Sequence, residues 1–402
     1  MISVATAIDI IEQQTRSLPS ESIELAAALG RFLAEDVIAD SDLPPFDRSQ
    51  MDGYAVIAAD TANAPVRLRI VGESAAGQGW RKQMNAGDAV RIMTGAPVPA
   101  GADSVQQVEL TEDVDAGSVE IQQAVQAGRS IVRKGSEIKA GITVLQTGER
   151  ITAAMMATLA SFGYARVQVA RRPRVAVLAT GSELVPVDGK PGEDQIRDSN
   201  NYSIAAYSEL AGAFIERLPL AGDDLSSLKI QIAAAAERAD VMITSGGVSM
   251  GIYDFTKAAL KELGSEIFFE RVSLRPGKPT VFGRLPNGAL VFGLPGNPVS
   301  VSVTFNLFAR TALLAMQGAD EITLPRENAV LARNAKGSAE RESYLPSRLR
   351  TDEEGRLIAE PLKWGGSSDF VAFTHATALI VVPEGVREVE KNSIVSILRL
   401  PG

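Results

Sequence analysis

Three carboxylates and two cations, each in or beside a glycine turn, are the residues of this chain best suited to chemistry. Glu183 ends Thr180-Gly181-Ser182-Glu183, Asp223 lies in Ala221-Gly222-Asp223-Asp224, and Asp254 follows Ser245-Gly246-Gly247-Val248-Ser249. Arg275 and Lys278 belong to RPGKP, and a further turn, Leu294-Pro295-Gly296-Asn297-Pro298, runs on to Ser300. Glycine lets the backbone approach a ligand, and amides exposed at a following helix start favour an anion. Carboxylates beside a phosphate-type site suit magnesium, which takes one or two protein oxygens and shares the phosphate. Arginine suits bidentate oxyanion contact and lysine a point charge. Asp223 and Asp254 also read as helix N-caps, a role compatible with a place at the ligand edge.

Positioning these turns requires a sheet with its strand ends aligned. From Arg174 the chain alternates short apolar runs with helical patterns: RVAVLATG, a helix over Ser199–Ala211, a strand at Phe214–Leu220, a helix over Asp223–Arg238 and a strand at Asp240–Ser245. A helix at Phe255–Leu263, three strands between Glu266 and Leu294, and a long helix from Pro298 to Met316 follow. That alternation predicts a doubly wound, mainly parallel α/β domain over 171–320, with the turns on its carboxyl edge. Residues 46–127 read as a small β-rich domain and 321–402 as a second one, from short apolar runs punctuated by Gly and Pro. Residues 1–45 and 128–170 flank the first β-rich segment and form one domain into which it is inserted. The architecture is thus multidomain, α/β plus β.

Composition narrows the function classes. The chain has 402 residues, enough for two or three domains, and a net charge of −9, which disfavours a general nucleic-acid or basic membrane-surface role. There is no cysteine and one histidine, His375, so disulfides, thiolate chemistry and histidine metal clusters are excluded. The N-terminal MISVATAIDIIEQQT lacks the marks of a signal peptide. The most apolar window, Phe305–Met316, is interrupted by Asn306 and Arg310, so no membrane span is expected.

Taken together, MDGYA at 51–55, MTGAP at 93–97, TGSEL at 180–184, SGGVSMGIYD at 245–254, RPGKP at 275–279 and LPGNPVS at 294–300 resemble, in order, the signatures of the MoeA-type molybdopterin molybdenumtransferases, the family that includes the C-terminal domain of gephyrin. The resemblance covers essentially the whole chain. It implies an elongated linker domain, an inserted β domain, a molybdopterin-binding α/β domain and a C-terminal β domain. It also implies a reaction in which molybdenum from molybdate is inserted into adenylylated molybdopterin and AMP is released, with Mg2+ as the divalent cation.

By the same resemblance Asp254, Glu183, Lys278, Asp52 and Thr94 are the catalytic residues, and Glu183, Asp223 and Asp254 the metal ligands. Arg275, Lys278, Ser245, Gly246, Gly247, Ser249, Pro295, Gly296, Asn297, Pro298 and Ser300 would bind substrate and anion. A cytoplasmic homodimer is implied, with Asp52 and Thr94 facing the partner's site. Transient contacts are implied with a molybdopterin adenylyltransferase and with molybdoenzyme apoproteins or chaperones. Asp52 and Thr94 also read as plain turn and strand-end residues; Arg133 and Glu137 match a family segment less closely.

The chain departs from the usual family pattern at Arg275 (often Lys), Ser182 and Ile252 (often acidic), Ser136-Glu137 (usually Glu-Asp) and Ala376-Thr377 (usually Ala-Asn). Three alternatives share part of the pattern, one of them a nucleotide-hydrolysing or deamidating relative in which the same α/β domain is fused to an amidase segment, a segment not found in this sequence. A molybdopterin adenylyltransferase usually lacks the MDGYA and MTGAP segments. A non-catalytic molybdopterin-binding scaffold would have no need of the carboxylates and cations.

Overall fold

The computed structural model describes residues 1–222, 224–247 and 255–401. The chain gathers into two compact units, one of residues 1–35, 147–153 and 166–402, the other of 36–146 and 154–165.

The first unit is built on a six-stranded sheet in the order Phe214–Arg217, Arg174–Ala179, Val241–Ser245, Leu290–Leu294, Val281–Arg284, Glu266–Phe269. The first four strands run parallel, Val281–Arg284 runs against them, and Glu266–Phe269, antiparallel to that strand, runs with the first four. Helices cover both faces, so the central strands are apolar without alternation. Val175, Val177, Val241, Ile243 and Phe292 point into one core, and Ala176, Leu178, Met242 and Val291 into the other. Phe282 and Phe292 stack with centroids 4.7 Å apart; burying each such side chain contributes about 1.5–3 kcal/mol. The helix Val4–Gln14, capped by the Ser3 hydroxyl on the Thr6 amide at 3.0 Å, adds Val4, Ala7 and Ile11 to the first core.

The run Pro298–Met316 is the long helix expected from the sequence. It is a continuous helix with a π turn at Phe305–Ala309, and by length and composition it could cross a membrane. It is also 89% buried within the fold, as the core helix of a folded domain is. Asn306 and Arg310 do not interrupt it. The Asn306 amide nitrogen donates to the Ser302 carbonyl at 2.9 Å, while its Oδ1 is buried without a partner.

At the C-terminal end, the strands Glu342–Thr351, Leu357–Pro361, Arg326–Leu331, Ile394–Arg399 and Ala378–Val382 follow in order, and the last pairs back on the first, closing a small barrel. The ten-residue Glu342 strand permits this: residues 343–347 pair with one neighbour and 347–351 with the other. The short strand Leu274–Arg275 joins its edge in parallel.

The second unit holds another six-stranded sheet, ordered Ser104–Gln107, Gly53–Val56, Asp88–Ile92, Val66–Ser74, Ser118–Ile121, Thr111–Asp115. Period-two alternation sends Tyr54 and Val56 into one apolar layer and Ala55 into the other.

Candidate functional site

Strand register sets the site. Ala179 is level with Ser245, and Ser245 with Leu294, so the turns that follow leave the sheet at one edge. A parallel bridge from Thr180 to Ala221 brings in the fourth turn. The Arg174 strand is flanked by Phe214–Arg217, the next strand of this sheet along the chain, on one side and by Val241–Ser245 on the other, so strand order reverses there. A crevice forms at the carboxyl ends of such a switch point. Here it is a cleft of about 830 Å³, walled by Thr180, Glu183, Asn200, Ser245, Gly246 and Gly296 among others.

Hydrogen bonds inside the first unit fix the turns. The Asn200 amide nitrogen donates to Ser245 Oγ at 2.8 Å and to the Gly296 carbonyl at 2.7 Å, tying two turns together. The Thr180 amide donates to the Ser245 carbonyl at 3.0 Å, and the Gly246 amide to the Leu294 carbonyl at 3.2 Å. Gly246 has φ +90°, and a Cβ there would lie 2.5 Å from the Thr180 carbonyl oxygen. The site therefore needs glycine for both conformation and space. At Gly181 a Cβ would meet the Glu183 carboxylate at 2.4 Å, so that carboxylate is folded over bare backbone.

The anion expectation at the Pro298 helix is modified by its first turn. Pro298 has no amide hydrogen, and Val299 donates its own to the Ser367 carbonyl at 3.0 Å. Asn297 donates to Ser367 Oγ at 2.9 Å. Two N-terminal donors are thus missing or spent, and the segment is latched to the C-terminal barrel region instead. Ser300 is 4% exposed and Pro295 buried, so both support the turn from beneath.

The two cations do not wall the cleft. Arg275 and Lys278 are exposed on a loop at the barrel edge, where Arg275 Nη1 donates to the Gly337 carbonyl at 3.2 Å. Arg341 Nη1 donates to the Leu274 carbonyl at 3.4 Å, which adds a third positive group to this loop. A Cβ at Gly277 would lie 2.4 Å from Thr304 Cγ2, so the loop packs closely on the Pro298–Thr304 helix.

In the second unit Asp52 and Thr94 are paired. The Thr94 amide donates to Asp52 Oδ1 at 2.7 Å and the Thr94 hydroxyl to the same oxygen at 2.8 Å. These bonds hold the Asp52 carboxyl below its ordinary range, the backbone bond most strongly. Arg133 and Glu137 pair with Asp47 at 2.6 Å and with Arg48 at 3.1 Å, as surface latches.

Asp223, Ser249 and Asp254, with the Ile252 departure, lie outside the described residues. Gly247 has φ +64° and completes the Ser245 turn. The Thr377 departure has a structural role: its hydroxyl accepts the Leu349 amide at 2.8 Å.

Three cleft residues were missed by sequence reasoning. Asp198, 5% exposed, accepts the Asn201 amide at 3.0 Å. Asn200 bridges the turns, and Arg197 supplies a guanidinium to the cleft wall. The signal available was RDSN directly before a helical pattern, the composition of a helix start. Among the described residues no three carboxylates gather into a metal cluster. Glu183 and Asp198 both wall the cleft, and one or two carboxylates are what magnesium uses beside a phosphate.

Comparison with known proteins accounts for nearly the full length. The MoeA N-terminal region (domain I and II) matches residues 2–163, a probable molybdopterin binding domain matches 176–315, and the MoeA C-terminal region (domain IV) matches 328–400. A Bacillus subtilis (strain 168) protein named molybdopterin molybdenumtransferase is 36% identical over 386 residues, covering 94% of this chain and 89% of its own. A Haemophilus influenzae protein of the same name is 35% identical over 393 residues, with 96% of each chain covered. The crystal structure of a molybdopterin biosynthesis MoeA protein from Pyrococcus horikosii superposes with a TM-score of 0.84 at 32% identity, over 100% of both chains. The strand-edge cleft, the barrel and the sheet of the second unit are therefore those of a known architecture, and the chain belongs to the MoeA family.

Proposed function

We propose that this chain is a molybdopterin molybdenumtransferase of molybdenum cofactor biosynthesis. It moves molybdenum from molybdate to the dithiolene of adenylylated molybdopterin and releases AMP. The observation that carries the reading is the near full-length match to relatives of that name. The geometry supports it: a cleft at the switch point, fixed by backbone turns, has carboxylates on its wall, while the two cations lie on a loop outside that wall.

In this reading the turns at Thr180, Ser245 and Gly296 seat the phosphoanhydride, with Asn200 holding their spacing. Glu183 and Asp198, with Asp223 and Asp254 from the sequence, would hold Mg2+. When bound, the ion neutralises charge at the breaking phosphoanhydride. Arg275 and Lys278 hold the molybdate oxyanion as a bidentate contact and a point charge. Electrostatic stabilisation is the main contribution in this reading; the chain has no cysteine and its one histidine lies outside the cleft wall. The protein is a cytoplasmic homodimer in this reading. It makes transient contacts with a molybdopterin adenylyltransferase and with molybdoenzyme apoproteins or chaperones.

The test is AMP release from adenylylated molybdopterin, with and without molybdate and magnesium. Release that is stimulated by molybdate and requires magnesium is expected, and Lys278→Ala raises the molybdate concentration for half-maximal release about tenfold. Binding of the pterin with no release under any condition would indicate a scaffold and overturn the catalytic reading. Light scattering checks the dimer: a mass near 42.5 kDa at micromolar concentration would refute it.

A further inference from the structure

The loop from Leu184 to Arg197 forms part of the cleft wall and carries a cation that none of the roles above uses. Its two ends pair in parallel, Leu184 level with Ile196 and Val185 level with Arg197. The Ile196 amide donates to the Glu183 carbonyl at 2.8 Å, and the Asp198 amide to the Val185 carbonyl at 3.0 Å. The pairing that fixes the backbone of Glu183 and Asp198 thus fixes that of Arg197 between them. All three residues wall the cleft, and among its described wall residues Arg197 is the only cation.

The side chain is exposed but not loose. Arg197 Nε donates to the Gly189 carbonyl at 3.0 Å, across the loop. Among the described residues that is its one hydrogen bond, and no carboxylate pairs with it. An arginine held by Nε keeps both Nη groups, four N–H donors in one plane, for an oxyanion. The tether also removes rotamer freedom that a contact would otherwise have to freeze. Charge balance supplies the second argument. Two carboxylates, Glu183 and Asp198, cancel the charge of one magnesium ion. The negative charge of a phosphoanhydride beside them then needs a further cation, and on this wall only Arg197 offers one.

We infer that Arg197 clamps the phosphoanhydride of the substrate, its Nη groups on the non-bridging phosphate oxygens and its Nε on Gly189. The inference deepens the proposed function and rests on it. It also divides the cations between two anions: Arg197 serves the diphosphate in the cleft, and the Arg275–Lys278 loop serves molybdate.

Calorimetric titration of the full-length protein with inorganic pyrophosphate in magnesium tests it, alongside AMP release from the adenylylated substrate. Arg197→Ala is expected to weaken pyrophosphate about tenfold and to raise KM for the substrate by a similar factor, with kcat within about threefold and the urea midpoint unchanged. Arg197→Lys keeps the charge but loses the fork and the tether, and should recover only part of the binding. Lys190→Ala removes a positive charge from the same loop, away from the cleft wall, and should leave both values within twofold. Pyrophosphate should slow hydrogen exchange over residues 184–197 in the wild type and not in Arg197→Ala. If Arg197→Ala binds pyrophosphate and substrate as the wild type does while molybdate-stimulated release persists, the clamp is wrong and the proposed function stands. Equal weakening by Arg197→Ala and Lys190→Ala would also overturn the clamp, since net charge alone would then account for it. If the wild type neither binds pyrophosphate nor releases AMP, both fall.

Discussion

At the end of the Val241–Ser245 strand, Ser245 is 2% exposed and its turn is held by donors from two other segments. At the turn after the Asp88–Ile92 strand, Thr94 and Asp52 are exposed and hold each other. Both corners are strand ends running into glycine, and both match family motifs. They differ in what fixes them. The first is defined by backbone shape and by amides that bridge turns, so its chemistry depends on packing beneath it. The second is one charge latched by two donors from a single residue, so its electrostatics can be altered with little effect on packing. A buried corner should thus respond to volume and conformation, and an exposed one to hydrogen bonding and pH.

The largest effect should come from an exposed charge beside the buried corner, changed without altering the shape of the turn beneath it. Glu183→Gln keeps the side-chain volume over Gly181 and removes the negative charge. AMP release is expected to fall about a hundredfold, with unfolding by urea unchanged; an activity within threefold of wild type would remove Glu183 from the reaction. Next is Gly246→Ala, which forces a Cβ to 2.5 Å from the Thr180 carbonyl oxygen at φ +90°. Backbone strain and overpacking together should cost about 3 kcal/mol, read as a lower denaturant midpoint for the first unit. Asn200→Ala is milder. It removes two hydrogen bonds between turns, about 1–2 kcal/mol, and should raise substrate KM more than it lowers kcat.

The uneven legibility of the molecule in its sequence has the same origin. An apolar run followed by glycine is a local signal, so the four turns, their common edge and the parallel sheet could be read directly. The antiparallel pair at Val281 and Glu266 does not alter that edge. Asn200 and Asp198 were not legible, because their roles depend on the register of the Arg174 and Val241 strands, which no local pattern carries. Arg275 and Lys278 read as an anion pair from their loop alone; that they do not wall the cleft follows from the strand Leu274–Arg275 joining the barrel, a long-range pairing. Asn306 read as an interruption of the apolar window because the sequence does not show that its amide turns back onto Ser302.

The exposed corner gives the smallest and most specific effect. Asp52 is held below its ordinary pKa by the Thr94 amide first and the Thr94 hydroxyl second. A carboxyl depressed in the folded state adds stability above its unfolded pKa and loses it as pH falls through the folded value. Thr94→Val deletes the hydroxyl donor, keeps the amide and nearly keeps the volume. The Asp52 pKa should therefore rise part of the way back toward the ordinary range, and the acid-side loss should begin at a higher pH. Thr94→Ser, which retains the hydroxyl, should leave it in place. Carbon-detected NMR titration of the Asp52 carboxyl measures this without reference to catalysis. An unchanged pKa in Thr94→Val would mean that the backbone amide alone sets the charge. The exposed corner would then be governed by conformation, as the buried one is, and the contrast between them would fail.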